Sequence, residues 1–99
     1  MTINIQYVKM PFSESMTEYV IERLSKLGER YHWIVQAKVF FKRENDPSGN
    51  GKICEIELSM PGPNVFASSR ENNFELAAKE TTLEIERQLQ KRKSVLKAH

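Results

Sequence analysis

The sequence predicts an α+β fold in the order β-α-β-β-β-α, with a four-stranded sheet and two helices packed on one face. Three observations carry that prediction. Several short stretches alternate apolar and polar residues, the period of a half-buried strand. One early stretch and the end of the chain space apolar residues three and four apart, the period of an amphipathic helix. Each helix has a single apolar stripe, so both can cover one face of the sheet.

The first strand is expected over Thr2–Val8, with Ile3, Ile5 and Tyr7 on one side and Asn4 and Gln6 on the other. Met10, Pro11 and Phe12 break it. Ser13 and Ser15 are good helix caps, and Ser15 with Glu18 has capping-box spacing. The helix runs to about Arg30, and Met16, Val20, Leu24 and Leu27 form its apolar stripe. Tyr19 and Tyr31 flank that stripe. Arg23, Lys26 and Arg30 form a second, basic stripe. Gly28 is a poor helix former and a point where the helix could end early.

The second strand is expected over Ile34–Arg43, with Val35, Ala37, Val39 and Phe41 on one side. Residues 44–51, ENDPSGNG, are turn chemistry throughout. The stretch is longer than a tight hairpin needs, so a mobile loop is expected. The third strand spans Lys52–Met60, with Cys54, Ile56, Leu58 and Met60 facing the core. A turn at 61–64 leads to a short fourth strand, Val65–Ser69. Asn72 or Asn73 then caps the last helix, whose buried stripe is Phe74, Ala77, Ala78, Thr81, Ile85 and Leu89. The three consecutive strands make an antiparallel meander.

Ninety-nine residues suit one domain, 1–99, large enough to bury a core without staples. The net charge is only +2, but it is segregated. After Glu86 come Arg87, Lys91, Arg92, Lys93 and Lys97, with no acid among them. No Pro or Gly follows Pro63, so a helix from Asn73 to Lys97 would be roughly 37 Å long. That exceeds what a small sheet needs, so the basic last turns should project past the core. A cationic rod attracts phosphate. Cations there also complement the helix dipole, which is the purely structural alternative.

Other chemistry finds little support. Cys54 is the one cysteine, so no disulfide can form within the chain. Its place mid-strand on the apolar face suits an inert core thiol in a reducing cytosol. His32 and His99 have no second ligand at metal spacing. Ser13, Ser15, Ser68 and Ser69 have no His or Asp set by sequence to activate them. No enzyme, metal or cofactor is therefore expected. The N-terminus lacks the marks of a signal peptide, and no stretch has transmembrane length. On the open sheet face, Glu55 and Glu57 should be solvated, and Phe40 and Ile53 could pair across strands. Trp33 is expected to pack rather than stack on a base.

Several pieces, in order and spacing, resemble the ribosome hibernation-promoting factor family, also called the ribosome-associated inhibitor or sigma-54 modulation family. They are INI at Ile3–Ile5, MTEYVIERLSKL at Met16–Leu27, VFAS at Val65–Ser68 and ERQLQKRKSVLK at Glu86–Lys97. One departure is Asn73–Lys79, NFELAAK, where the family has an acid followed by an aromatic-Ala-Ala-Ile-Asp run. Ending after the second helix, the chain resembles the family's short form.

The resemblance implies a fold similar to a double-stranded RNA-binding domain and no enzymatic activity. It implies a cytoplasmic protein, monomeric off the ribosome, with no membrane or DNA partner. Its partner would be the small ribosomal subunit and its ribosomal RNA. It would lie between head and body, over the path of messenger and transfer RNA, blocking translation in stationary phase or stress. The RNA contacts so implied fall to Arg87, Lys91, Arg92 and Lys93, with Lys97 supporting, and to Arg23, Lys26 and Arg30. The alternative is a protein-interaction module using Lys38, Phe40, Ile53 and Glu55 on the open sheet face, with RNA incidental. Steep salt dependence of binding would favour RNA.

Overall fold

The alternating and helical periods resolve into six elements in a computed structural model, which describes residues 1–97. They are β1 (Thr2–Val8), α1 (Glu14–Arg30), β2 (Gln36–Arg43), β3 (Lys52–Ser59), β4 (Val65–Glu71) and α2 (Phe74–Lys97). The strands lie in sequence order. β1 is parallel to β2, while β2, β3 and β4 form the antiparallel meander. A parallel pair needs a crossover, and α1 supplies it.

The register builds the helix-facing surface in rows. Ile3, Ala37, Leu58 and Val65 make one row, and Ile5, Val39, Ile56 and Ala67 the next. Tyr7, Phe41, Cys54 and Ser69 make a third. Against these rows pack Met16, Val20, Leu24 and Leu27 of α1, and Phe74, Ala77, Ala78, Ile85 and Leu89 of α2. Both helices therefore cover the same face. Tyr31 is fully buried, closing the core where α1 ends.

Two buried threonines of α2 keep their hydroxyls paired. Thr81 Oγ1 lies 2.8 Å from the Ala77 carbonyl and 3.1 Å from that of Cys54, so its proton ties α2 to β3. Thr82 Oγ1 donates to its own helix, with the Ala78 carbonyl at 3.0 Å. Burial pushes the Cys54 thiol up to about 12, so it stays protonated at neutral pH.

Of the two caps the sequence offers for each helix, the structure uses one. Ser13 caps α1, accepting from the Met16 amide at 3.3 Å. Asn73 caps α2, its Oδ1 accepting from Leu76 N at 2.7 Å. Other local features have local causes. Gly28 does not end α1, because Tyr31 N still donates to Leu27 O at 2.8 Å. Met1 Cε lies 3.0 Å from where a Cβ on Gly28 would stand, so the glycine leaves room for that side chain.

β2 starts two residues later than expected. Ile34 N donates to Tyr31 O, a turn that leaves Ile34 buried and Val35 61% exposed. β4 runs two residues longer, to Glu71. The 44–51 loop is braced: Glu44 N donates to Gly51 O at 2.8 Å, and Asp46 Oδ1 accepts from Ser48 N and Oγ. The Ser48 amide chiefly holds the Asp46 carboxyl below its usual range.

Candidate nucleic-acid interface

The two helices run in the same direction. Tyr19 lies beside Glu75 and Ala78, Leu27 beside Thr82, and Arg30 reaches Glu86. Their C-terminal halves thus lie together, and the basic residues of both collect there. α2 continues past Leu89, its last residue in the core cluster, into turns where Lys91, Lys93, Ser94 and Val95 are exposed.

Arg23, Lys26 and Arg30 line one groove between the helices, with Leu27, Thr82 and Glu86. Arg30 Nη1 is 3.3 Å from Glu86 Oε1, and Lys26 Nζ is 3.3 Å from Glu22 Oε1. On the outer side, Arg87 Nη1 is 3.0 Å from Glu84 Oε2. The cations of these pairs are more than half exposed. Exposed pairs are worth roughly 0–1 kcal/mol each, so exchanging a carboxylate for a phosphate costs little. Arg30 and Lys93 meet over the Tyr31 ring, 5.4 Å and 5.8 Å from its centroid. That ring joins the basic stripe of α1 to the tail of α2.

Lys91 and Arg92 sit elsewhere. They line a notch with Val65, Gln88 and Val95, on the β4 flank of α2. The cations of the two helices therefore do not form one continuous stripe. Arg23, Lys26, Arg30 and Lys93 gather on the inter-helix flank, Arg87 is exposed beside Glu84, and Lys91 and Arg92 take the opposite flank. Helical geometry is the reason: Lys91 and Lys93 are two residues, about 200°, apart around the helix. The Lys97 side chain and His99 lie outside the described residues.

Sequence reasoning missed two contributors. Glu86 stands inside the groove of α1 cations, although i+4 spacing from Thr82 puts both on one side of α2. Gln88 Nε2 donates to the Phe66 carbonyl at 2.9 Å, fastening α2 to the free edge of β4.

The open sheet face is mixed. Lys42 pairs with Glu55 at 3.0 Å, and Phe66 is 53% exposed. Phe40 stands opposite Glu55 and Ile53 opposite Lys42, so those two apolar residues are diagonal neighbours, not a direct pair. Trp33 is half-buried, edge-on to Tyr31 at 5.5 Å, a packing contact. Among the described residues, no group of His, Cys, Asp or Glu could hold a metal, and no helix is long and apolar enough to cross a membrane.

No curated protein matches the sequence. Solved structures do match the fold. A ribosomal subunit interface protein from Coxiella burnetii superposes with a TM-score of 0.83 at 18% identity, over 95% of this chain and 99% of that one. The N-terminal domain of Protein Y from Thermus thermophilus gives 0.76 at 22% identity, over 92% and 98%. Identities this low carry the fold and nothing finer. The sequence itself, from residue 3 to residue 97, matches the family described as sigma 54 modulation protein / S30EA ribosomal protein, and the chain belongs to that family.

Proposed function

We propose that this protein binds the small ribosomal subunit, occupies its channel for messenger and transfer RNA, and holds idle ribosomes silent in stationary phase or stress. The observation that carries the reading is the family match over 3–97, joined to a basic end of the helix layer. Both structural neighbours fit it, one being a ribosomal subunit interface protein by name. The protein acts by occupancy and needs no catalytic group.

Binding rests on shape and on release of counterions from ribosomal RNA. Arg23, Lys26, Arg30 and Lys93 take phosphates on the inter-helix flank. Arg87, Lys91 and Arg92 take them on the outer and β4 sides. Arginines fork onto phosphate oxygens, while lysines act as point charges.

Cosedimentation with purified small subunits, across a salt series, tests this. Charge reversal by Arg87→Glu with Lys91→Glu should cut affinity about tenfold or more and make the salt slope shallower by about 2. Undiminished binding at physiological salt would sink the assignment. The exposed Phe66 keeps the protein-interaction reading of the open sheet face in play. Salt-independent binding, lost on Phe66→Ser, would favour it.

A further inference from the structure

The helix pair leaves a second depression, away from its basic end. Toward the N-termini of α1 and α2, a pit of about 360 Å³ opens between the helices. That volume is in the range of small-molecule sites. Met16 and Ala78, both buried, form its floor, and the half-buried Tyr19 makes one wall. Glu75 and Lys79 stand exposed at its rim. Four apart on α2, they have the spacing of a helix ion pair, yet they form none among the described residues. One turn further along α1, the Arg23 guanidinium lies 5.9 Å from the Tyr19 ring centroid. Among the described residues, Arg23 has no carboxylate partner either. It also lines the neighbouring groove of about 230 Å³, with Lys26 and Arg30. The valley between the helices thus has an apolar end and a cationic end, joined through Tyr19 and Arg23.

We infer that this valley binds a free guanine nucleoside di- or triphosphate, with the base in the pit and the phosphates in the groove. Tyr19 stacks on the base, and Met16 and Ala78 supply apolar contact. The Glu75 carboxylate only accepts, so it suits the two adjacent N–H donors on the Watson–Crick edge of guanine. Adenine presents one donor and one acceptor there and fits worse. Lys79 donates to the guanine carbonyl oxygen. Lys26 lies seven residues beyond Tyr19, roughly 10 Å along the helix, which is the reach from base to outer phosphates of an extended nucleotide. Arg23 and Arg30 fork onto phosphate oxygens. Lys26 and Arg30 already hold Glu22 and Glu86, but both pairs are exposed and weak, so a phosphate replaces either carboxylate. A continuing RNA strand suits the pit less, because beyond it the strand meets Glu14, Glu18 and Glu75 on the first turns of the helices. An acidic peptide or a fatty acid meets the same carboxylates. Arg23, Lys26 and Arg30 are also the inter-helix RNA contacts, so bound nucleotide would release the protein from the ribosome. That regulation rests on the RNA-binding reading above, whereas the nucleotide site does not.

Calorimetric titration of the full chain with GTP, ATP, guanosine and inorganic triphosphate tests the site without ribosomes. GTP should bind saturably and about tenfold tighter than ATP. It should also exceed guanosine and inorganic triphosphate by about tenfold each, since each lacks one half of the contacts. Tyr19→Leu should weaken GTP about tenfold by removing the stack. Glu75→Gln, at an exposed position, should bring GTP and ATP within about twofold of each other. Cosedimentation with small subunits, at constant free magnesium, tests the regulation. GTP at about ten times its wild-type Kd should weaken wild-type binding about tenfold, and that of Tyr19→Leu about twofold.

Several results overturn the inference. No saturable binding of GTP, in a protein that still binds small subunits, removes the nucleotide site and leaves the RNA-binding reading intact. GTP that binds without weakening subunit binding removes the regulation and takes the inter-helix cations off the RNA. Equal affinity for GTP and inorganic triphosphate, or no loss in Tyr19→Leu, means that the pit is not used. ATP binding as tightly as GTP removes the guanine assignment. Weaker subunit binding by Tyr19→Leu without nucleotide would seat an RNA base in the pit instead of a free ligand.

Discussion

α2 is one helix with two trades. From Phe74 to Leu89 it covers the sheet, and every residue of its inward stripe is buried. Beyond Leu89 it runs on for roughly 12 Å, meeting the sheet only at Val65, where β4 begins. The periodicity does not change at the boundary, but what it touches does. Ile85 and Leu89 meet Cβ-rich sheet rows, whereas Arg92, next on the same stripe, meets only a notch. A stripe residue over the sheet is part of the core; one past Leu89 is not.

The largest expected effect lies in the covering part. Ile85→Ala removes a fully buried side chain from the layer between the helices and the sheet. Unfolding in urea should show a loss of about 3 kcal/mol, from lost burial plus the cavity left behind. Lys91→Glu, in the overhang, should stay near wild-type stability. If Ile85→Ala costs no more than a surface change, the division of α2 into two parts is wrong.

That division marks what was legible in the sequence. Element order, the strand faces and both helix stripes followed from periodicity, because each buried side chain recurs at the spacing that a helix or strand imposes. The caps were legible only as pairs, since Ser13 and Ser15, or Asn72 and Asn73, are chemically equivalent candidates. Only the approach of the chain selects one of each pair. The register slip at Val35 came from the turn closed by Ile34 N on Tyr31 O, a tertiary choice that alternation cannot encode.

The site was legible in residue type but not in arrangement. A run of cations in sequence looks like one patch. On a helix, Lys91, Arg92 and Lys93 fan around the axis, and neighbours from β4 and α1 claim different members. Arg92 could have been singled out beforehand, because it falls on the stripe that Ile85 and Leu89 define. Tyr31 could not, since nothing local reveals that its ring will lie beneath both Arg30 and Lys93.

A smaller effect sharpens how the covering part is fastened. Thr81→Val keeps the shape and removes the one hydroxyl shared with the Cys54 carbonyl. The loss should be about 1 kcal/mol by denaturant titration. Opening α2 from β3 should also expose the Cys54 thiol, so labelling by a thiol reagent should speed up. Unchanged labelling would mean that packing by Ala77 and Ile85 alone holds the two elements together.

The smallest effect sits at the seam between the two parts. Glu86 is the last acid before the basic run, and it holds Arg30 across the helix pair. Its carboxylate competes with any phosphate entering the groove of Arg23, Lys26 and Arg30. Glu86→Gln removes one negative charge but keeps an acceptor oxygen for Arg30. Stability should change by no more than about 0.5 kcal/mol, as for other exposed pairs. Binding to small subunits should tighten about two- to threefold at low salt, and the gain should shrink as salt screens the groove. A loss of affinity would reverse the role: Glu86 would then be the residue that aims Arg30 at its phosphate, and the acid at the seam would belong to the binding end of α2.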